Sequence, residues 1–104
     1  MRVLFHPEFP KDIRRFEAEY SKVSSGLGSR FRQEIETAMT AIKLSPLSAG
    51  HFLEIRSSFV SELRRRNLRA FPFFVLYGVT DKKLIFGSVI PSRSDPLTWL
   101  ARFR

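Results

Sequence analysis

The chain has 104 residues, 43% of them apolar and eleven of them Phe, enough for one hydrophobic core and too apolar for a disordered segment. It has no cysteine, which excludes disulfides and thiolate metal sites and agrees with a reducing compartment. Eighteen Lys and Arg against ten Asp and Glu give a formal charge of +8, a surface that attracts polyanions such as nucleic acid, acidic protein segments or anionic lipid.

Arg2 to Phe5 reads as a short first strand, and the two prolines of His6-Pro7-Glu8-Phe9-Pro10 suit a strand exit and a first helical turn. The opening apolar run is too short for a signal peptide, and no segment reaches membrane-spanning length, so a cytoplasmic protein is expected. From about Pro10, Ile13, Phe16, Tyr20 and Val23 recur in steps of three and four and predict an amphipathic helix. Ser24-Ser25-Gly26 interrupts it. Leu27, Phe31, Ile35, Ala38, Met39 and Ile42 form a second stripe that ends near Ser45, because Pro46 disfavours helix in the residue before it. So short a break predicts an antiparallel helical hairpin lying on one face of a sheet.

Pro46 to Ser58 carries little pattern; His51 to Arg56 reads as a short strand or as irregular. A strand over about Phe59 to Leu68 holds the block Arg64-Arg65-Arg66. Two apolar runs follow, Phe71 to Val79 and Leu84 to Ile90, joined by Thr80-Asp81-Lys82-Lys83, which is a hairpin pattern. Neither run alternates, so both faces are expected to be covered, with Pro72 at the first position of its strand or at a bulge. After the loop Pro91 to Ser94, Asp95-Pro96 suits the N-cap and first position of a short terminal helix through Arg102. The order β-α-α-β-β-β defines one α+β domain over residues 1–104, with an antiparallel sheet, the helical hairpin on one face and a short C-terminal helix.

Enzymatic signatures are missing. The five glycines are scattered and form no phosphate loop, and His6 and His51 lack ligand-spaced carboxylates, so neither a metal nor another cofactor is expected. His6 reads as a turn or capping residue and His51 as an exposed loop residue. What stands out is arginine: Arg64, Arg65, Arg66, Arg69, Arg93, Arg102 and Arg104, on strands and loops that can converge. Converging guanidinium groups bind phosphate oxygens, stabilise a phosphorane during RNA cleavage or dock an acidic protein. They can equally be spent on internal pairs with Glu54, Glu62 and Asp95. Trp99, the single Trp, is either packed against the sheet or an anchor for a partner.

A first strand ending in His6-Pro7-Glu8 before a helical hairpin resembles the opening of the RelE/ParE toxins of bacterial type II toxin–antitoxin systems. The run from Leu63-Arg64-Arg65 through Arg69 to Phe71-Pro72-Phe73 and Val75-Leu76-Tyr77 resembles their central strands. Ile90-Pro91-Ser92-Arg93-Ser94-Asp95-Pro96 with Trp99 and Arg102 resembles their closing motif. The resemblance implies a small basic toxin neutralised by a cognate, ParD-like antitoxin, and a target that is either DNA gyrase or the ribosome with its mRNA. Pro91 stands where many relatives carry His, and the C-terminal segment has no Tyr or His to move a proton, so the ParE-like, non-enzymatic branch is favoured over mRNA cleavage. On this reading the active surface comprises Arg65, Arg69, Arg93, Trp99 and Arg102, with Arg69 and Arg93 matching positions the family keeps basic. A non-toxic nucleic-acid-binding domain is the remaining alternative.

Overall fold

The computed structural model describes residues 1–53, 60–95 and 101–103. Its elements are β1 (Arg2–Phe5), α1 (Phe9–Val23), α2 (Ser25–Leu44), β2 (His51–Leu53), β3 (Glu62–Asn67), β4 (Phe73–Val79), β5 (Lys83–Pro91) and a 3-10 turn (Ala101–Phe103). His6 is indeed the turn residue before α1: its Nδ1 accepts the Glu8 N–H at 3.1 Å. The second helix starts after the single residue Ser24, and Glu17 of α1 meets Arg32 of α2 at 3.2 Å, as an antiparallel hairpin requires. Val23, expected on the packed stripe, is 77% exposed, because it is the last residue of α1 at the point of reversal.

The five strands form one sheet in the order β1-β5-β4-β3-β2. β2, β3, β4 and β5 pair antiparallel in succession, as the hairpin pattern predicts. β1 instead joins β5 in parallel, so the α+β sheet is mixed. That pairing links the two ends of the chain, and no local turn chemistry sets its direction. Among the described residues of the unpatterned stretch, His51–Leu53 is a strand, and residues 54–59 lie outside the description. Pro72 immediately precedes β4, where its missing N–H costs the ladder nothing.

Every residue of β4 is buried because both faces of the sheet are covered. On one face Val75, Tyr77 and Phe73 meet the helical stripe of Phe9, Ile13, Phe16, Phe31, Ile35 and Ile42. Phe31 anchors this layer, with ring centroids 5.2 Å from Phe73 and 5.3 Å from Phe71 in edge-on contact, a geometry that adds to simple burial. On the other face Phe74, Leu76, Leu63 and Ile90 meet Val60 and Phe103. Phe103 fits only because two glycines face it: a Cβ at Gly78 would stand 2.9 Å from its ring, and one at Gly87 would overlap it. The C-terminal turn is therefore part of the second core layer. The expected terminal helix and its cap at Asp95-Pro96 fall largely on residues 96–100, outside the described residues.

Candidate functional site: an arginine-bearing end of the sheet

Strand alternation divides the Arg64-Arg65-Arg66 block. Arg64 pairs with Tyr77 and Arg66 with Val75, which face the helices, whereas Arg65 pairs with Leu76 on the opposite face. The two helix-side arginines are engaged internally. Arg64 donates to Glu62 at 2.9 Å and to the Gly50 carbonyl at 2.8 Å, and Arg66 donates to the Ala49 carbonyl at 2.6 Å. Tyr77 completes the row by donating its hydroxyl to the Pro46 carbonyl at 2.7 Å. Burial, the largest influence, raises the Tyr77 pKa above its ordinary value and keeps the phenol neutral as a donor. Together these three side chains hold the connection between α2 and β2 against the sheet.

Arg65, by contrast, stays half-buried on the outer face, its guanidinium carbon 4.7 Å above the Phe74 ring. A stacked guanidinium keeps its N–H edges available while its orientation is restricted. Asn67, which pairs with Phe74, shares that face. So does His51, the exposed residue directly opposite Arg65 in the β2–β3 ladder. Spacing along the chain gave no hint of that pair, because it arises from strand register.

Arg69 and Arg93 lie at the same end of the sheet. Arg69 is exposed in the β3–β4 loop, and Arg93 is exposed in the turn after β5. The two loops are joined where the Ser92 N–H donates to the Pro72 carbonyl at 2.9 Å. Glu34 of α2 fixes the first loop by accepting the backbone N–H groups of Arg69 and Ala70, the latter at 2.8 Å. Glu34 is a positioning residue that sequence reasoning missed; on a helix surface it is indistinguishable from a solubilising charge. The structure thus places Arg69 and Arg93 on two joined loops at one end of the sheet, with Arg69 beside Arg66 and α2 on the helix side, while Arg65 sits within β3 on the outer face.

Arg102 does something different. It forms a bidentate ion pair with Asp12, at 2.5 and 3.1 Å, and donates to the Gly87 carbonyl at 3.0 Å. Asp12, only 6% exposed, also accepts the Val89 N–H at 3.0 Å. β1 covers the edge of β5 only as far as Phe86, so Asp12 and Arg102 supply the partners that a longer strand would have given. Trp99 lies outside the described residues. Among the described residues no group of His, Cys, Asp or Glu is placed to hold a metal ion, and no helix is long and apolar enough to cross a membrane.

No family model matches the sequence, and no curated protein matches it either. A solved structure described as "Chromosomal ParDE TA system from P. aeruginosa" contains a chain with the same fold. It superposes with a TM-score of 0.69 over 88% of this chain and 95% of its own, at 15% sequence identity. At that identity the likeness establishes the fold, which is the one the RelE/ParE resemblance implied.

Proposed function

We propose that this protein is the toxin of a type II toxin–antitoxin pair, of the ParE-like kind, which acts in the cytoplasm by binding and inhibiting DNA gyrase and is held inactive by a cognate, ParD-like antitoxin. The observation that supports this reading is the pair Arg69 and Arg93, exposed on two joined loops at one end of the sheet, with Arg65 stacked on the outer face of β3, on a fold shared with a chain of the ParDE system. Guanidinium groups on two exposed loops and one stacked strand position form a surface that an acidic or phosphate-bearing partner engages and an antidote must cover. Arg102 contributes by fixing the C-terminal turn, because three of its N–H groups are already used inside the molecule. Induced without its antitoxin, the protein is expected to arrest growth with DNA damage, and the purified protein to inhibit gyrase. Arg69→Ala with Arg93→Ala should abolish the arrest. Full toxicity in that folded double variant would show that the surface is the wrong one.

One observation favours a second reading, ribosome-dependent cleavage of mRNA. His51 faces Arg65 across the ladder, and an imidazole beside a guanidinium offers proton transfer next to phosphate stabilisation. His51→Ala separates the two: message cleavage by the parent that is lost together with toxicity in the variant selects the ribonuclease, and retained toxicity with gyrase inhibition selects the ParE-like toxin. Harmless expression together with salt-sensitive nucleic-acid binding would instead select a non-toxic binding domain.

A further inference from the structure

The outward face of α1 carries charge of one sign. Lys11, Arg14, Arg15 and Lys22 are all exposed, and at about 100° per residue they fall in one arc roughly 100° wide, with only the small Ala18 among them. The opposite side of the helix is the buried one, with Phe9, Ile13 and Phe16. We propose that this basic face binds the phosphate backbone of duplex DNA, an activity that goes beyond the toxin reading and does not use Arg65, Arg69 or Arg93.

Three observations carry the assignment. First, the acids of α1 do not neutralise the face. Asp12 is buried against Arg102, Glu17 is bonded to Arg32 of α2 at 3.2 Å, and Glu19 stands beside the arc rather than within it. Glu8, just before the helix, meets Lys11 at 3.3 Å in an exposed contact that water screens. Arg14, Arg15 and Lys22 form no ion pair among the described residues. Second, the arrangement works against the helix. Lys11 repels Arg14 and Arg15, three and four residues on, and it lies in the first turn, where the helix dipole favours acids. On the outer side of α2 the ordinary alternative is present, with Arg32 bonded to Glu36 one turn on at 3.3 Å. An anion laid along α1 would relieve the repulsion that α1 retains.

Third, the face has the chemistry of a phosphate contact. A protein interface buries an apolar centre with aromatic anchors, and this arc offers only Ala18. Single-stranded nucleic acid is held by exposed rings on which bases stack, whereas Phe9 and Phe16 are buried and Tyr20 packs on Phe31 and Phe71. A duplex backbone needs neither, because its affinity comes from Lys and Arg at the phosphates. Lys11 to Lys22 runs about 16 Å along the axis, the length of roughly five base-pair steps. The Arg15 guanidinium carbon stands 4.5 Å over the Phe16 ring, a stacking that restrains the group while its N–H edges stay available. B-form DNA admits an α-helix to its major groove and the A-form of an RNA duplex does not, which selects DNA.

The test is fluorescence anisotropy of a labelled DNA duplex titrated with the full chain at a series of salt concentrations. The parent should bind with a slope of log K against log salt of about −3, since each phosphate contacted contributes about −0.9. Arg14→Gln with Arg15→Gln and Lys22→Gln should weaken binding about tenfold or more and flatten the slope by about two. The same loss of charge elsewhere on the surface, Arg30→Gln with Lys43→Gln and Lys82→Gln, should weaken it less than about threefold. Arg14→Lys with Arg15→Lys should keep it, because a backbone contact needs the charge more than the planar fork. Equal weakening in the two triple variants would reduce the effect to bulk charge and overturn the site. So would a parent that does not bind, or an RNA duplex or a poly-glutamate peptide that binds as tightly as the DNA. Growth arrest and gyrase inhibition are read in separate assays, so this proposal and the toxin reading stand or fall independently.

Discussion

Removing the Asp12 carboxylate tests most directly how the C-terminal turn is held. Asp12→Ala deletes the acceptor of the Val89 N–H and both contacts to Arg102 in one step. The Val89 amide is then left without its partner at a buried position, which costs about 1–3 kcal/mol. Arg102 loses its counter-charge, and with its side chain 24% exposed it is partly rehydrated, so its share falls below the roughly 3–5 kcal/mol of a fully buried broken pair. The sum worked from these contacts is about 3 kcal/mol. Urea unfolding followed by circular dichroism measures it, and with a slope of about 1–3 kcal/mol per molar the midpoint should fall by roughly 1–3 M. Arg102→Ala should cost less, because the Asp12 carboxylate keeps the Val89 N–H and can take up water. The double variant should then cost less than the sum of the single changes, with a coupling of about 1 kcal/mol or more. If Asp12→Ala costs under about 0.5 kcal/mol, as ordinary surface substitutions do, the ion pair does not close the β5 edge and the reasoning fails.

Arg69→Ala with Arg93→Ala should leave stability within about 0.5 kcal/mol of the parent, since both side chains are exposed, while toxicity is lost; thermal unfolding and a growth assay read the two effects separately. Glu34→Ala frees the Arg69 and Ala70 amides and should cost about 1 kcal/mol, speed hydrogen exchange at those amides and weaken toxicity without removing a guanidinium. Gly87→Ala forces its new methyl into the Phe103 ring and should cost about 1–3 kcal/mol, which denaturant unfolding would show. Tyr77 has a folded pKa above its ordinary 10.0, so its contribution is fully present below that pH and is lost as pH rises through the folded value. Tyr77→Phe should accordingly flatten the alkaline limb of a stability–pH profile, at a cost near neutral pH of about 1 kcal/mol for the bond to Pro46.

The helices were legible because a stripe such as Phe16, Phe31, Ile35 and Ile42 records which side of a helix is dry, and that is a local property of spacing. The central hairpin was legible for a similar reason: unbroken apolar runs such as Phe73–Val79 occur where both faces are covered, and β4 is buried throughout. What chain order leaves open is who sits opposite whom. The register of β2 on β3 sets His51 against Arg65, and pairing with β4 sends Arg64 and Arg66 to one face and Arg65 to the other. The ion pair of Asp12 with Arg102 joins residues from opposite ends of the chain, and so does the parallel joining of β1 to β5. Composition and periodicity determined that this chain folds as a basic α+β protein with a helical hairpin on a sheet. Only the tertiary structure decided which arginines are bonded inside and which stay exposed, because a guanidinium's role depends on acceptors that chain closure brings beside it, and no local pattern encodes them.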